Sequence, residues 1–328
     1  MRALVLGATG HIGAHIVRAL LAEGHSVRAA YRSERFLGAL DGLALERVHV
    51  DLDTFDGLRQ ALEGCEWVFH AAGYYPRLGA KREKALQIGI TTTSRLNEEF
   101  LKAKPSRIVF TSSAATIRHI IGRSSNETDA ESWPTKEKLS LYATVKIAME
   151  NESLLAQKRG LPVVIVNPSY CIGEYDARTF SGLLLLLFAK HRLPFYLDYR
   201  LNVVYTADVG VAHVKAAEQG AIGERYILAN RNMTLGEFAS LVAKEMKIAP
   251  PRWRISYGSA LAFAFALECA SFVARTEPLL TRQSIRLARR GQVLDNSKAV
   301  RKLCMPQTPI EEAVRRAIGW FRANGHLP

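Results

Sequence analysis

Short apolar segments alternate with longer amphipathic segments through the first half of this chain. The apolar segments predict strands at residues 3–6, 26–31, 47–50, 67–70, 107–111 and 163–166. Between them, the spacing of apolar residues predicts helices at 11–22, 55–62, 81–103 and 140–158. Because strand–helix–strand alternation builds right-handed crossovers, we predict an α/β fold with a doubly wound parallel sheet.

This alternation ends near residue 168. Beyond it lie an apolar run at 183–188, a short predicted strand at 202–206 and helical segments toward the C-terminus. We therefore predict a first domain over 1–168 and a smaller C-terminal substrate-binding lobe mainly over 169–328. Residues 202–217 again predict a strand followed by a helix, so we expect this segment to return to the first domain.

One apolar stretch, 259–274, is rich in alanine, leucine and phenylalanine. It contains Glu268 and is shorter than the roughly 20 residues that span a bilayer, so we predict no transmembrane segment. We expect a buried helix or a lid helix, with weak contact to a membrane surface as the alternative.

Composition narrows the class of protein. Hydrophobic residues make up 48% and charged residues 23% of the 328 residues, which is typical of a globular chain. The four cysteines are too scattered for a disulfide framework or a metal site, which favours a reducing compartment. Because an apolar strand starts almost at once and no signal peptide is evident, we expect a cytoplasmic protein.

The net charge of +13 raises the question of a nucleic-acid partner. Lysine and arginine are dispersed along the chain, however, and no aromatic-basic RNA-binding motif occurs. We therefore expect a solvated basic surface that attracts an anionic cofactor or substrate, and no nucleic acid as partner.

Three glycines, Gly7, Gly10 and Gly13, lie between the first predicted strand and the first predicted helix. Glycine permits a tight turn and a close backbone approach, and the N-terminus of the helix offers unpaired N–H groups to a pyrophosphate. The spacing is G-x-x-G-x-x-G, for which a plain structural turn is the alternative. We predict a Rossmann-type dinucleotide site that also includes the loop residues Thr9, His11 and Ile12.

The end of the second strand indicates which dinucleotide binds. An acidic side chain there would accept hydrogen bonds from the adenosine ribose of NAD. This chain instead has Arg32 and Ser33, with Arg35 close by, and a guanidinium pairs well with a 2′-phosphate. We predict NADP(H), with NAD(H) as the alternative if Arg32 only faces solvent.

Further candidate cofactor contacts end the third and fourth strands. Asp51 and Leu52 are candidates to bind the adenine, unless Asp51 only caps the following helix. After the fourth strand, small side chains would let the dinucleotide pass close to the backbone at Ala71, Ala72 and Gly73.

Three hydroxyl residues, Thr111, Ser112 and Ser113, end the fifth strand. A hydroxyl at the carboxyl end of a central strand can hydrogen-bond a substrate carbonyl and stabilise developing negative charge. We assign this role to Ser113 and expect Thr111 and Ser112 near the cofactor. The alternative is a hydroxyl that only caps a loop.

Tyr142 and Lys146 stand four residues apart in a predicted helix, so their side chains share one face. The ammonium can hold a ribose hydroxyl, and its charge would lower the pKa of the phenol. This pair predicts Tyr142 as a proton donor or acceptor beside a nicotinamide ring.

Taken in order, these motifs resemble those of the extended short-chain dehydrogenase/reductases, also called the NAD-dependent epimerase/dehydratase superfamily. Within it, the chain is similar to the dihydroflavonol 4-reductase branch and to the hopanoid-associated sugar epimerases. The second likeness rests on Asn167-Pro168-Ser169, Leu201-Asn202-Val203-Val204 and Gly223-Glu224-Arg225-Tyr226-Ile227-Leu228. The resemblance covers essentially the whole chain.

This resemblance implies roles for individual residues. Ser113 would anchor the substrate oxygen, Tyr142 would be the acid/base, and Lys146 would bind the ribose and activate the tyrosine. Pro168, Ser169 and Tyr170 would flank the nicotinamide carboxamide. The resemblance also implies a homodimer through the helix that bears Tyr142 and the helix near 95–102. Many relatives carry an asparagine where this chain has 87–92, so a proton relay or helix kink built on that residue must be absent or replaced here.

The segments that set specificity in the family are apolar and aromatic in this chain. We name Tyr74, Tyr75, Ser113, Tyr170 and Phe180 as tentative substrate contacts. They favour an NADPH-dependent reductase of a hydrophobic ketone of 3-oxoacyl, polyketide, flavonoid or steroid type. The first alternative is an NAD-dependent nucleotide-sugar epimerase or dehydratase, and the second is a non-catalytic dinucleotide-binding scaffold. We predict no metal.

Overall fold

The computed structural model describes residues 1–76, 80–130, 139–179, 181–190, 195–274, 276 and 281–328, and the account below concerns these residues. The strands within them are β1 (Arg2–Leu6), β2 (Ser26–Tyr31), β3 (Glu46–His49), β4 (Trp67–His70), β5 (Arg107–Thr111), β6 (Val163–Pro168), β7 (Tyr170–Ile172), β8 (Phe195–Tyr196), β9 (Arg200–Tyr205), β10 (Arg225–Leu228), β11 (Arg231–Thr234) and β12 (Trp253–Arg254).

The helices of the same part of the chain are α1 (His11–Ala22), α2 (Leu58–Leu62), α3 (Arg82–Ala103), α4 (Leu141–Lys158), α5 (Leu183–Ala189), α6 (Thr206–Gln219), α7 (Leu235–Met246), α8 (Tyr257–Ala274), α9 (Arg282–Arg290), α10 (Ser297–Leu303) and α11 (Ile310–Ala323). The helix predicted at 55–62 begins later, at Leu58, because Phe55 and Gly57 have φ angles of 73° and 76° and form a turn.

Seven parallel strands form the central sheet in the order β10-β6-β5-β4-β1-β2-β3. Every residue of β4 and of β6 is buried, as expected for strands covered by helices on both faces. The predicted α/β doubly wound Rossmann fold is therefore confirmed. Within the central sheet, the prediction missed one strand, β10, which extends the sheet beside β6. The short strands β7, β8, β11 and β12 outside it were missed as well.

Helices cover the central sheet on both faces. On one face α1 and α6 pack on a core that includes Ile16 and Val209, and on the other face α3 and α4 pack on a core that includes Phe100 and Val145. The strand order reverses at β1, between β2 and β4. In sheets of this kind, ligands bind outside the carboxyl ends of the strands at the reversal point.

A second, smaller core lies in the later part of the chain. A three-stranded sheet, β11-β9-β7, packs with α5, α7 and α11 around side chains such as Phe238 and Phe321. Within residues 202–217, α6 packs on the central sheet, whereas β9 belongs to this small sheet. The boundaries of the two domains stay a prediction.

Helix α8 departs from expectation. Ala260 and Ala264 are buried, but Phe263 and Phe265 are each 50% exposed. A buried helix is therefore the wrong interpretation for most of its surface, because among the described residues only the side with Ala260 and Ala264 is buried against other parts of the fold. None of the described helices has the combination of length and apolarity that crossing a membrane requires.

Candidate functional site

The glycine loop joins β1 to α1 and is packed too tightly for side chains. Gly7 has a φ of 84°, and a Cβ on Gly13 would lie 2.0 Å from the carbonyl oxygen of Gly7. Gly10 precedes α1, and no described side chain caps that end of the helix. The first N–H groups of α1 are therefore available to an anion, which fits a pyrophosphate.

The other predicted contacts of the loop are buried or half-buried. Thr9 is only 5% exposed, and Ile12 packs against the core beside α1. The Nε2 of His11 lies 2.9 Å from the Thr206 hydroxyl of α6, and burial lowers its pKa to about 3, which keeps the imidazole neutral. His11 thus joins α1 to α6 through its side chain.

Two arginines lie against one aromatic ring after β2, and a third arginine interacts with one of them. The guanidinium carbons of Arg35 and Arg178 lie 5.5 Å and 4.7 Å from the ring centroid of Phe36. Partial burial and the positive charge of Arg32 lower the pKa of Arg178, so these two guanidinium groups act on each other. Arg32 has a side chain that is 59% exposed, 3.4 Å from Asp53.

Arg178 was not among the predicted contacts. It comes from the loop after β7, far along the chain from Arg32, so no local pattern in the sequence could bring the two together. Ser33, which was predicted, directly precedes a short 3-10 helix, Glu34–Leu40, and is half-buried.

The predicted adenine contacts lie after β3. The Asp51 carboxylate accepts a hydrogen bond from the Asp53 backbone N–H at 2.8 Å, so it organises its own turn. Leu52 packs against the core on the side of α3 and α4. The alternative, in which Asp51 caps the following helix, is wrong, because Gly57 is the N-cap of α2 and no described side chain caps that end.

The residues after β4 must be small, because the backbone of the glycine loop and the side chain of Lys146 both come close to them. A Cβ on Gly7 would lie 2.8 Å from the backbone nitrogen of Ala72 and 2.9 Å from the carbonyl carbon of Ala71. A Cβ on Gly73 would lie 2.6 Å from the Nζ of Lys146. The glycine loop, the end of β4 and Lys146 therefore meet at the carboxyl edge of the sheet.

Tyr142 lies on the first turn of α4, where Ser140 caps the helix by accepting the Ala143 N–H at 3.0 Å. Its hydroxyl is hydrogen-bonded to the hydroxyls of Ser113 and Tyr75. The Tyr75 ring stacks on the Tyr142 ring with centroids 5.3 Å apart and planes inclined by 17°. Tyr142 is thus held between the end of β5 and the segment after β4.

The two neighbouring serines face different partners. Ser112 is 4% exposed and donates to the Glu150 carboxylate at 2.5 Å, whereas Ser113 is half-buried and contacts Tyr142. The Thr111 hydroxyl lies 2.9 Å from His213 on α6. Of the three hydroxyls, that of Ser113 is the one bonded to Tyr142.

Lys146 is 2% exposed, and its Nζ donates to the Thr111 carbonyl at 3.3 Å. Burial lowers the pKa of Lys146 to about 8, while the charge of Glu150 opposes the change. Burial raises the pKa of Tyr142 well above 10, although the Ser113 hydrogen bond acts in the opposite direction. The expected lowering of the Tyr142 pKa is therefore wrong here, because burial outweighs the hydrogen bond from Ser113.

Glu150 organises a buried network that the sequence prediction missed. It accepts hydrogen bonds from Ser112, from Thr116 at 3.2 Å and from Asn167 at 3.0 Å, and it pairs with Arg225 of β10 at 2.5 Å. Glu150 continues the spacing of Tyr142 and Lys146 by one more helical turn, which is the signal that could have revealed it.

The remaining predicted contacts lie where β6 passes into the small sheet. Pro168 ends β6, and the Ser169 hydroxyl donates to Asn202 at 2.7 Å. The Tyr170 hydroxyl donates to the Ser181 carbonyl, and its ring meets Phe238 edge-on. Tyr74 packs against the core near α3. Phe180 lies outside the described residues.

Comparisons with known proteins agree with this arrangement. Residues 3–229 match the NAD dependent epimerase/dehydratase family. The chain is 34% identical to sterol demethylase protein B of Methylococcus capsulatus over the full length of both proteins. It is 30% identical to a putative dihydroflavonol 4-reductase of Synechocystis, with 98% of this chain and 95% of the relative covered.

The fold is also similar to a crystal structure of PA4631, a nucleoside-diphosphate-sugar epimerase from Pseudomonas aeruginosa. The two share 25% identity and a TM-score of 0.82, with 100% of this chain and 99% of the other covered. The chain thus belongs to the NAD dependent epimerase/dehydratase family, in its extended short-chain dehydrogenase/reductase branch, and is a nicotinamide-dependent enzyme of that kind.

Proposed function

We propose that this protein is an NADPH-dependent reductase that converts a ketone on a hydrophobic substrate into a secondary alcohol. The observation that carries the proposal is the hydrogen-bonded hydroxyl pair of Ser113 and Tyr142, one helical turn from Lys146 at the carboxyl edge of the sheet. Two hydroxyls that meet at one point suit a carbonyl oxygen, which can accept a hydrogen bond from each.

In this proposal Tyr142 is the proton donor. A bound NADPH supplies the hydride, and with it both electrons of the reduction. Burial holds the pKa of Tyr142 well above 10, so the phenol is protonated at neutral pH. As the substrate oxygen becomes negative, Tyr142 transfers its proton to that oxygen and Ser113 donates a hydrogen bond to it. The alcohol leaves, and Tyr142 regains a proton from solvent.

Lys146 has two tasks in this proposal. It would bind the ribose hydroxyls of the cofactor, and its ammonium would stabilise the phenolate that Tyr142 leaves after proton transfer. With a pKa of about 8, Lys146 is protonated in most molecules at pH 7. The Thr111 carbonyl at 3.3 Å holds its Nζ in position.

An apolar substrate is supported by the surroundings of Tyr142. Tyr75 stacks on it, and the buried Cys171 of β7 lies close enough to raise the pKa of Tyr142. Two relatives bear names that refer to a sterol and to a dihydroflavonol, which are both fused-ring compounds. We therefore favour a ring-containing ketone of steroid or flavonoid type.

The test measures NADPH oxidation with a panel of steroid, flavonoid and 3-oxoacyl ketones. We expect ketone-dependent oxidation, and we expect Tyr142→Phe to lower kcat by about 10²–10⁴-fold, because the proton donor is lost. NADPH binding, followed by calorimetry, should be retained. Tyr226→Phe in β10 is the control, since it removes a phenol hydroxyl that accepts a hydrogen bond from the Ala221 N–H in a nearby turn. Wild-type turnover by Tyr142→Phe would overturn the proposal.

The preference for NADPH rests on the arginines around Phe36. A 2′-phosphate would neutralise the repulsion between Arg32 and Arg178, which lowers the pKa of Arg178. We expect Arg32→Ala and Arg178→Ala each to raise the KM for NADPH by about 10- to 100-fold, with little effect on NADH. Arg301→Ala on α10 is the control. Equal effects on both cofactors would contradict the NADPH preference and leave the reductase proposal intact.

A nucleotide-sugar epimerase is the second candidate, because the chain is similar over its whole length to a protein described as one. Such an enzyme returns the hydride to its substrate, so it needs no net turnover of cofactor. Purified protein that carries non-exchanging NAD and oxidises no NADPH with any ketone would favour this candidate over the reductase.

A further inference from the structure

Helix α8 presents an apolar surface to solvent. Its 18 residues include a single charged residue, Glu268. Ala260 and Ala264 pack against Ile285 and Leu197, which accounts for one side of the helix. Exposed residues on its other sides are Ala262, Phe263, Phe265, Ala266, Cys269 and Ala270. Exposed apolar patches of this kind commonly mark an interaction site.

Arginines from α9 lie along the edge of this surface. The sequence of α9, RQSIRLARR, contains four arginines and no acidic residue. The guanidinium carbon of Arg282 lies 4.6 Å from the Phe265 ring centroid, and that of Arg289 lies 4.4 Å from the Tyr257 ring centroid. Arg282, Arg286 and Arg289 are all exposed, and Arg282 also pairs with Glu268 at 2.7 Å.

Two further exposed aromatic side chains belong to the same part of the molecule. Phe195 of β8 and Trp253 of β12 are 42% and 62% exposed, and their rings stack with centroids 6.4 Å apart. Leu197 and Ile255, each two residues further along, pack in the same small core as α8. We call α8, α9, Phe195 and Trp253 the α8–α9 platform.

We propose that the α8–α9 platform docks on the surface of an anionic lipid bilayer. Exposed phenylalanine and tryptophan can enter the boundary between headgroups and acyl chains, while the arginines along the edge bind acidic headgroups. The net charge of +13 favours the same partner. A second copy of the chain fits less well, because two platforms face to face would bring arginines of like charge together.

The platform is connected to the candidate active site by a short piece of chain. Residues 195–199 run from Phe195 through Leu197 to Tyr199, which packs in the same core as Tyr170. Docking would therefore hold the substrate-binding side of the enzyme near a membrane, where apolar ring compounds partition. The docking proposal does not depend on the reaction proposed above.

The test is sedimentation of the full chain with vesicles, without cofactor or substrate. We expect binding to vesicles of equal parts phosphatidylcholine and phosphatidylglycerol, and much weaker binding to phosphatidylcholine alone. The double variant Phe263→Ser/Phe265→Ser and the double variant Arg286→Gln/Arg289→Gln should each weaken binding by about tenfold or more. The matched controls are Ile121→Ser, whose side chain is 92% exposed elsewhere, and Arg301→Gln/Lys302→Gln on α10.

Three results would overturn the proposal. The first is that the protein sediments with neither kind of vesicle, and the second is that both double variants bind as well as the wild type. The third is a dimer in light scattering that Phe263→Ser/Phe265→Ser converts to a monomer while vesicle binding is unchanged, which would assign the face to a second copy. Circular dichroism confirms that each variant is folded, and NADPH oxidation with a water-soluble ketone tests the reductase proposal separately.

Discussion

Helices α4 and α8 have the same length, 18 residues, and opposite relations to solvent. Helix α4 carries two charged residues, Lys146 and Glu150, that are each only 2% exposed. Helix α8 has almost no charge, yet Phe263 and Phe265 are half exposed. One helix buries two of its charged side chains and the other exposes two of its large apolar side chains.

Both arrangements oppose the usual driving forces of folding, and both therefore point to function. A buried ammonium is costly unless it is paired, and an exposed phenylalanine gives up free energy that burial would have gained. Evolution retains such local conflicts mainly at sites of function. The comparison suggests that α4 is shaped by chemistry and α8 by a partner.

The largest effect in this comparison should come from removing Glu150. Glu150→Ala takes away the carboxylate that pairs with Arg225 and that accepts hydrogen bonds from Ser112 and Asn167. Breaking a buried, hydrogen-bonded ion pair leaves an uncompensated charge, so the free energy of unfolding should fall by about 3–5 kcal/mol. Urea denaturation followed by circular dichroism measures it.

Glu152→Ala is the matched control, because Glu152 lies on the same helix and has no described ion pair. It should change the free energy of unfolding by less than about 0.5 kcal/mol. If Glu150→Ala lowers the free energy of unfolding as little as this control does, the network around Glu150 does not stabilise the end of the sheet. The burial of charged side chains in α4 would then need another explanation.

Much of the fold could be predicted from the sequence because its strands and first helices follow local patterns. Each predicted strand of the central sheet is a short apolar segment, four of the six are followed by a predicted helix, and the glycine loop lies between the first two elements. Strand β10 was missed because Arg225–Leu228 lies beyond the predicted alternation and is defined by pairing with β6, far away in the chain. The predicted homodimer and cytoplasmic location stay predictions.

Some residues of the candidate site could likewise be predicted from local motifs, and others could not. The short motifs that supply Gly7, Ser113, Tyr142 and Lys146 could be read directly, and the structure brings Ser113 to Tyr142; their roles stay predictions. The partners that act through tertiary contact, such as Arg178 beside Arg32, could not be found in this way. Whether the pKa of Tyr142 is raised or lowered also depends on how deeply the side chain is buried, which cannot be predicted from the spacing of residues in the sequence.

Lys146→Met should change the free energy of unfolding by less than Glu150→Ala does, and it should raise that free energy instead of lowering it. The pKa of Lys146 is about 8 in the fold against an ordinary value of 10.5, so below pH 8 the native state carries the whole cost of a buried ammonium. The variant should therefore raise the free energy of unfolding at pH 7 by about 1–3 kcal/mol while it abolishes turnover.

The pH dependence of the free energy of unfolding shows whether the gain in Lys146→Met comes from removing a buried charge or from better packing of methionine. As the pH rises from 8 to 10.5, wild-type Lys146 loses its proton in the native state before the unfolded chain does, so wild-type stability rises toward that of the variant. Lys158→Met, exposed at the end of the same helix, should give no such convergence. A gain that is constant from pH 7 to pH 10 would contradict a buried charge in α4.

The smallest effect is expected on the exposed side of α8. Phe263→Ser and Phe265→Ser remove side chains that are already half in water, so the free energy of unfolding should change by less than about 1 kcal/mol per residue. Ile285→Ala, on the buried side of the same contact, should cost about 2–4 kcal/mol, because Ile285 is 5% exposed and packs against Ala260 and Ala264. Thermal denaturation of the three variants measures the contrast. Equal losses on both sides would mean that Phe263 and Phe265 are buried in solution, and α8 would then be a core helix like α4.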